Sequence, residues 1–206
     1  MKKHSWLIIS FLVILFSQLY AQVITPKEFL GYKPGDRFTP HHTVVSYFRT
    51  IAEKNKDRVV FTQYGTSYEG RPLIAVFIST AENISKLENI RKSHMDAVES
   101  QKAIFDKNEK CIVWFSYNVH GNEASGTEAA MTTLYEILSD PDFNNNYKDM
   151  IVVIDPCLNP DGRERYTHWF TTMSGTTPDV NVWTREHQEP WPGGRSNHYY
   201  FDLNRD

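Results

Sequence analysis

The chain has 206 residues with 22 Lys+Arg against 25 Asp+Glu, a formal charge of -3, and its length suits one domain with a short appendage or part of a larger one. Hydrophobic residues make up 40% and charged residues 23%, which excludes disorder over most of the chain. No basic excess is left to neutralise phosphates, so the composition argues against nucleic acid as a partner.

Lys2 and Lys3 precede an apolar run over 6–16, and a short polar stretch ends at Ala21. This is the pattern of a secretory signal peptide, because the run is about 11 residues long and a membrane-spanning helix needs about 20. The expected division is a signal peptide at 1–21, a lead-in at 22–40 and a single domain at 41–206. Export to the periplasm or the extracellular space follows, with no membrane span after cleavage.

Pro26, Pro34, Gly35 and Pro40 mark the lead-in as irregular, and Val44, Val45, Phe48 and Ile51 then recur at helical spacing, which predicts a helix over 42–54. Residues 59–64 and 73–79 flank a glycine-bearing turn and read as a hairpin. The charged stretch 81–107 reads as a helix or a helix plus a solvated connector. Residues 111–117 and 151–155 read as buried strands, with a helix over 124–138 between them that carries Ala130, Met131, Leu134, Ile137 and Leu138. Strand, helix, strand predicts a right-handed parallel crossover, hence an α/β fold whose central sheet is mixed, largely parallel and flanked by helices. Residues 162–200 show no clear periodicity and read as a long structured loop, with Tyr166, Trp169, Phe170, Trp183 and Trp191 either anchoring its packing or lining binding subsites.

Cys111 opens one strand and Cys157 follows the other, so in parallel neighbours their sulfurs would stand roughly 20 Å apart, beyond the ~7 Å Cα limit for a disulfide. Two free thiols are expected.

In an open α/β sheet, ligands collect at the carboxyl ends of strands, where His120 and Glu123 fall. An imidazole and a carboxylate three residues apart at a strand-to-helix corner suit one divalent cation such as zinc, whereas a plain helix start would also favour an acidic residue there. Asn159-Pro160-Asp161-Gly162, at the end of the second strand, reads as turn chemistry. Arg195 precedes the pair Asn204-Arg205, and Arg is a natural fork for carboxylates.

The segments Tyr-Gly-Thr-Ser-Tyr-Glu-Gly-Arg-Pro-Leu (64–73), His-Gly-Asn-Glu (120–123), Asn-Pro-Asp-Gly (159–162) and Asp-Leu-Asn-Arg (202–205), in this order, resemble the zinc carboxypeptidases of the peptidase M14 family. The resemblance implies one zinc ion with His120 and Glu123 as its first two ligands, and Asn204 with Arg205 as the pair that binds the free carboxylate of a peptide or protein C-terminus. It also implies an arginine that polarises the scissile carbonyl, for which Arg195 has the spacing and Arg185 is the competitor. Where the family continues Asn-Arg-Asn-Phe, Asp206 puts a carboxylate beside the anion site. The third zinc ligand, a histidine, and the general base, a glutamate, lie downstream of Asn-Arg in the family. His168, His187 and His198 stand before that pair and read as packing or rim residues. The implied function is a metallocarboxypeptidase represented by the N-terminal part of its catalytic domain and inactive by itself. The alternatives are a peptidoglycan stem-peptide amidase or N-acyl amino acid deacylase on the same scaffold, or a non-catalytic binding domain.

Overall fold

The structure, a computed structural model, describes residues 23–100, 109–177 and 179–206. The signal peptide expected at 1–21 lies outside the described residues. The elements are α1 (Pro26–Leu30), α2 (His41–Lys54), β1 (Val59–Thr66), β2 (Pro72–Ile78), α3 (Ala81–Ser85), α4 (Leu87–Ser100), β3 (Cys111–Ser116), α5 (Ser125–Leu138), α6 (Phe143–Tyr147), β4 (Met150–Asp155) and α7 (Pro160–Met173). The stretch 81–107, expected as a helix or a helix plus a connector, forms two helices separated at Lys86, and 101–107 lies outside the described residues.

The sheet has the order β1-β2-β4-β3. It is mixed and flanked by helices, as expected, but its weight is antiparallel: β1 with β2 and β2 with β4 run antiparallel, and β3 with β4 parallel. The hairpin explains this, because its short turn returns β2 antiparallel to β1 and the sheet grows from β2 onto β4. The expected crossover from β3 through α5 to β4 joins parallel neighbours. Alternation along each strand sorts the core into two faces. Ile74, Val76, Ile78, Val152 and Ile154 meet α2 and α5 through Val44, Phe48, Ile51, Met131 and Leu134. Ala75, Ile151 and Val153 meet Phe77 and the α4 residues Leu87 and Ile90 on the other face.

Two sequence readings are corrected. β4 is buried, but β3 is not: Ile112 is 42%, Trp114 61% and Phe115 41% exposed. It is one of the two edge strands of the described sheet, and by its register Trp114 shares a face with Val153 while Phe115 shares the opposite face with Ile154. An apolar run records what a strand tolerates on its two faces, whereas burial depends on what lies beside it. The loop expected at 162–200 begins instead as α7, because Asn159 accepts the Gly162 N–H at 3.0 Å as an N-cap and Pro160 occupies the first turn. Asn, Pro, Asp and Gly serve a turn and a helix start equally well.

The free thiols are found as expected, Cys111 exposed and Cys157 buried. Burial pushes the Cys157 thiol up to about 12. No helix among the described residues is long and apolar enough to cross a membrane.

Candidate active site

The parallel pairing of β3 and β4 sets their carboxyl ends side by side. The pairing runs on into the loops through Leu158 N–H to Tyr117 O at 3.0 Å and Asn159 N–H to Asn118 O at 3.1 Å. Asn118 then organises the loop that follows. It sits at φ 55°, in the left-handed region that Asn tolerates better than most side chains. Its Oδ1 accepts from Thr127 N and Oγ1 at 3.0 and 2.6 Å, which caps the start of α5. Its Nδ2 donates to His120 O at 3.0 Å and Glu123 O at 3.1 Å. One side chain therefore fixes the backbone at both candidate metal residues.

Gly121 and Gly162, from two of the motifs, and Gly194, the residue before Arg195, meet backbone to backbone here. A methyl group on Gly121 would overlap Arg163 N and Gly194 O, and one on Gly162 would overlap Gly194 O and Ser196 O. Glycine is required for that close approach. It brings the loop of His120, the start of α7 and the segment of Arg195 together.

His120, which is buried, directs Nδ1 toward Glu123 Oε1 at 3.0 Å and Nε2 to Asp202 Oδ1 at 2.9 Å. Arg195 donates Nε to Asp202 Oδ2 at 2.8 Å, and its Nη1 stands 3.3 Å from His120 Nδ1 and 4.0 Å from Glu123 Oε1. Burial pushes the Asp202 carboxyl up, but the Asn204 N–H, His120 and Arg195 outweigh it and hold it down at about 2. In the tautomer that donates Nε2–H to this carboxylate, the Nδ1 lone pair is the one that faces Glu123. That is the arrangement in which a metal-binding histidine is oriented by an acid behind it. The donor set fits a zinc ion held by His120 Nδ1 and Glu123, although among the described residues no group of three His, Cys, Asp or Glu side chains could hold a metal.

Of the residues singled out by sequence, His120, Glu123 and Arg195 are brought together. Asn204 joins them through its N–H on Asp202 Oδ1 at 3.0 Å, whereas Arg205 is exposed and donates to Asn204 O at 3.1 Å. Asp206 folds back and its carboxylate accepts the Asp202 N–H. Arg185 lies elsewhere, its Nε on Met173 O at 2.7 Å. His168 is exposed, His187 faces Asp179 O, and His198 pairs with Glu69 at 2.9 Å, so none of the three joins His120. Tyr166 and Phe170 pack on Phe38 and Trp169 on Tyr166, as anchors should, but Trp183 and Trp191 are each 84% exposed. Trp191 rests on Tyr200 with ring centroids 5.3 Å apart, and neither tryptophan is anchored in the core.

Sequence reasoning missed Asp202 and Asn118. Asp202 stood inside a quoted motif, and the rule that a metal-binding histidine has a carboxylate partner would have singled it out. It also missed the supports beneath the site. Asp161 accepts from Ser67 Oγ and Arg71 Nη1, both at 2.7 Å, and pins the β1–β2 turn to α7. Fully buried Arg163 pairs with Glu128 at 2.9 Å and donates to Thr39 O at 2.7 Å, which ties the lead-in to α5 and α7. Tyr64, at the bulge of β1, reaches Asp155 across β2; burial pushes both their pKa values up.

A family model described as zinc carboxypeptidase, Peptidase_M14, matches residues 44–206. Carboxypeptidase E of Caenorhabditis elegans is 27% identical over 210 residues, which covers 94% of this chain and 36% of that protein. Among solved structures, carboxypeptidase A from Helicoverpa armigera is 17% identical with a TM-score of 0.49, covering 79% of this chain and 29% of that one. Bovine thrombin-activatable fibrinolysis inhibitor, in complex with tick carboxypeptidase inhibitor, is 16% identical with a TM-score of 0.47, covering 79% and 38%. The chain thus spans about a third of the length of the curated Caenorhabditis elegans relative, 36%.

Proposed function

This chain belongs to the zinc carboxypeptidase family, peptidase M14, and from that premise we propose that it is the N-terminal part of an exported, zinc-dependent metallocarboxypeptidase that releases C-terminal residues from peptides. The observation that carries the reading is the convergence of His120, Glu123, Arg195 and Asp202 at the carboxyl ends of β3 and β4. The signal peptide at 1–21, the lead-in at 22–40 and the domain from residue 41 onward belong to the same proposal, as does a periplasmic or extracellular location.

His120 Nδ1 and Glu123 would hold the zinc ion. Bound there, zinc would supply Lewis acidity that activates water and polarises the scissile carbonyl. Asp202 holds the His120 Nε2–H and so fixes which ring nitrogen is free. The Arg195 guanidinium reaches over the same point and stabilises the negative charge that develops on the carbonyl oxygen. Asn204 and Arg205 bind the free carboxylate of the substrate by charge-assisted hydrogen bonds, so the enzyme cuts only beside a chain end. A third ligand and a general base come from chain beyond residue 206 in this reading. The exposed apolar β3 supports it, since such a strand suits further sheet and helix on its free side.

The test uses the complete polypeptide, with and without a zinc chelator, on paired peptides with free and amidated C-termini. The proposal expects chelator-sensitive release of the last residue from the free form alone. Equal cleavage of the amidated form would favour an amidase, and no zinc-dependent hydrolysis of either would favour a binding domain.

A further inference from the structure

Arg195 lies on a stretch with no helix or strand between His187 and Arg205, and a long side chain on such backbone has many rotamers to lose. Two side chains of opposite charge grip that backbone on both sides. Glu189 Oε1 accepts the Gly194 N–H, and its Oε2 accepts from Asn122 Nδ2 at 3.1 Å. Asn122 stands between His120 and Glu123, so one carboxylate links the loop of the two metal residues to the residue just before Arg195. Arg165, on α7, donates Nη1 to Gly193 O at 2.7 Å and Nη2 to Asn197 O at 3.3 Å, each two residues from Arg195. Asn159 Nδ2 adds a bond to Arg195 O at 3.2 Å. Gly193 has φ +66°, and a Cβ there would press on Glu189 Oε1 at 3.2 Å, so the turn admits the carboxylate because it carries no side chain. Neither Glu189 nor Arg165 has a hydrogen bond or ion pair with His120, Glu123 or Asp202 among the described residues.

We infer that Glu189 and Arg165 are positioning residues, a clamp on 193–197 that holds the Arg195 guanidinium over His120 and Glu123. The inference rests on the proposed role of Arg195 and deepens it. Neither residue touches substrate. Their effect passes through Arg195, and a displacement of about 1 Å at such a group is worth up to roughly a hundredfold in rate.

The experiment is a double-mutant cycle in the complete polypeptide, with kcat and KM measured on a peptide with a free C-terminus, zinc content measured on each variant, and hydrogen exchange followed over 189–202. Glu189→Ala is expected to lower kcat by roughly 10- to 100-fold with KM and zinc content little changed, and Arg165→Ala to act in the same direction. Glu189→Gln, which keeps an oxygen for the Gly194 N–H, should recover most of the loss. In an Arg195→Ala background, Glu189→Ala should add almost nothing. An equal loss in both backgrounds, or no loss in the wild type, overturns the clamp. If Arg195→Ala itself leaves kcat unchanged, or the polypeptide hydrolyses no peptide, the proposed function fails separately. The clamp is then decided by exchange: faster exchange at 193–197 in Glu189→Ala with β4 unchanged supports it, and unchanged exchange there overturns it.

Discussion

β3 and β4 lie side by side and parallel, with the sequences CIVWFS and MIVVID, yet their surroundings are opposite. β4 is covered on one face by α2 and α5 and on the other by Phe77 and α4, and buried Asp155 at its end is held by Tyr64. β3 has a neighbour along one edge only, and Trp114 and Phe115 stand exposed on its two faces. Apolar composition sets how much a strand gains from being covered. The elements around it decide whether that gain is realised. The candidate site straddles the two: its backbone is fixed from the β4 side through Asn159, Gly162 and Asp161, while His120 and Glu123 follow β3.

The contrast is most severely tested on the finished side. Glu128→Ala leaves the buried Arg163 guanidinium with only the Glu164 carboxylate, 3.7 Å away, and a loss of about 3 kcal/mol in unfolding free energy by denaturant titration is expected. A loss below about 1 kcal/mol would mean that the pair is open to water. Truncation within the two strands follows. Ile154→Ala on β4 should cost about 2–5 kcal/mol, whereas Trp114→Ala on β3 in residues 1–206 should stay within about 1 kcal/mol. Equal costs would break the comparison. If further chain covers β3, Trp114→Ala should become the costlier change in the complete polypeptide.

The two cysteines sharpen the same contrast by pH and by access. Burial holds the Cys157 thiol protonated up to about pH 12, while in the unfolded chain it ionises near its ordinary value of ~8.5. Between those values the unfolded state binds fewer protons, so stability falls as pH rises, by at most about 1.4 kcal/mol per pH unit from this group. Cys157→Ala should flatten that part of the stability profile, and an unchanged profile would contradict the assignment. At pH 8, an alkylating reagent should modify Cys111 in the native protein and Cys157 only after denaturation, read by peptide mass. Prompt native labelling of Cys157 would show that the end of β4 opens.

Local patterns carried the parts of the fold that local physics decides. The apolar spacing of Val44, Phe48 and Ile51 gave α2, and the glycine-bearing turn after Tyr64 gave the hairpin. The start of α7 was misread because the residues of a turn and of an N-cap are the same. The exposure of β3 was misread because it depends on neighbours that the strand itself does not specify. At the site, motif order brought out His120 and Glu123. Asp202 stayed hidden because its partner is 82 residues away and only the folded glycine junction brings them together.

Zinc affinity is the most direct measure of the central claim, that His120 and Glu123 form a metal pair oriented by Asp202. Zinc titrated into residues 23–206 should bind weakly, and either His120→Ala or Glu123→Ala should abolish that binding. If further chain supplies a third ligand, binding should tighten in the longer polypeptide, and in either form Asp202→Asn should weaken it by roughly 10- to 100-fold while leaving the fold intact. Zinc binding that is indifferent to all three substitutions would contradict the account.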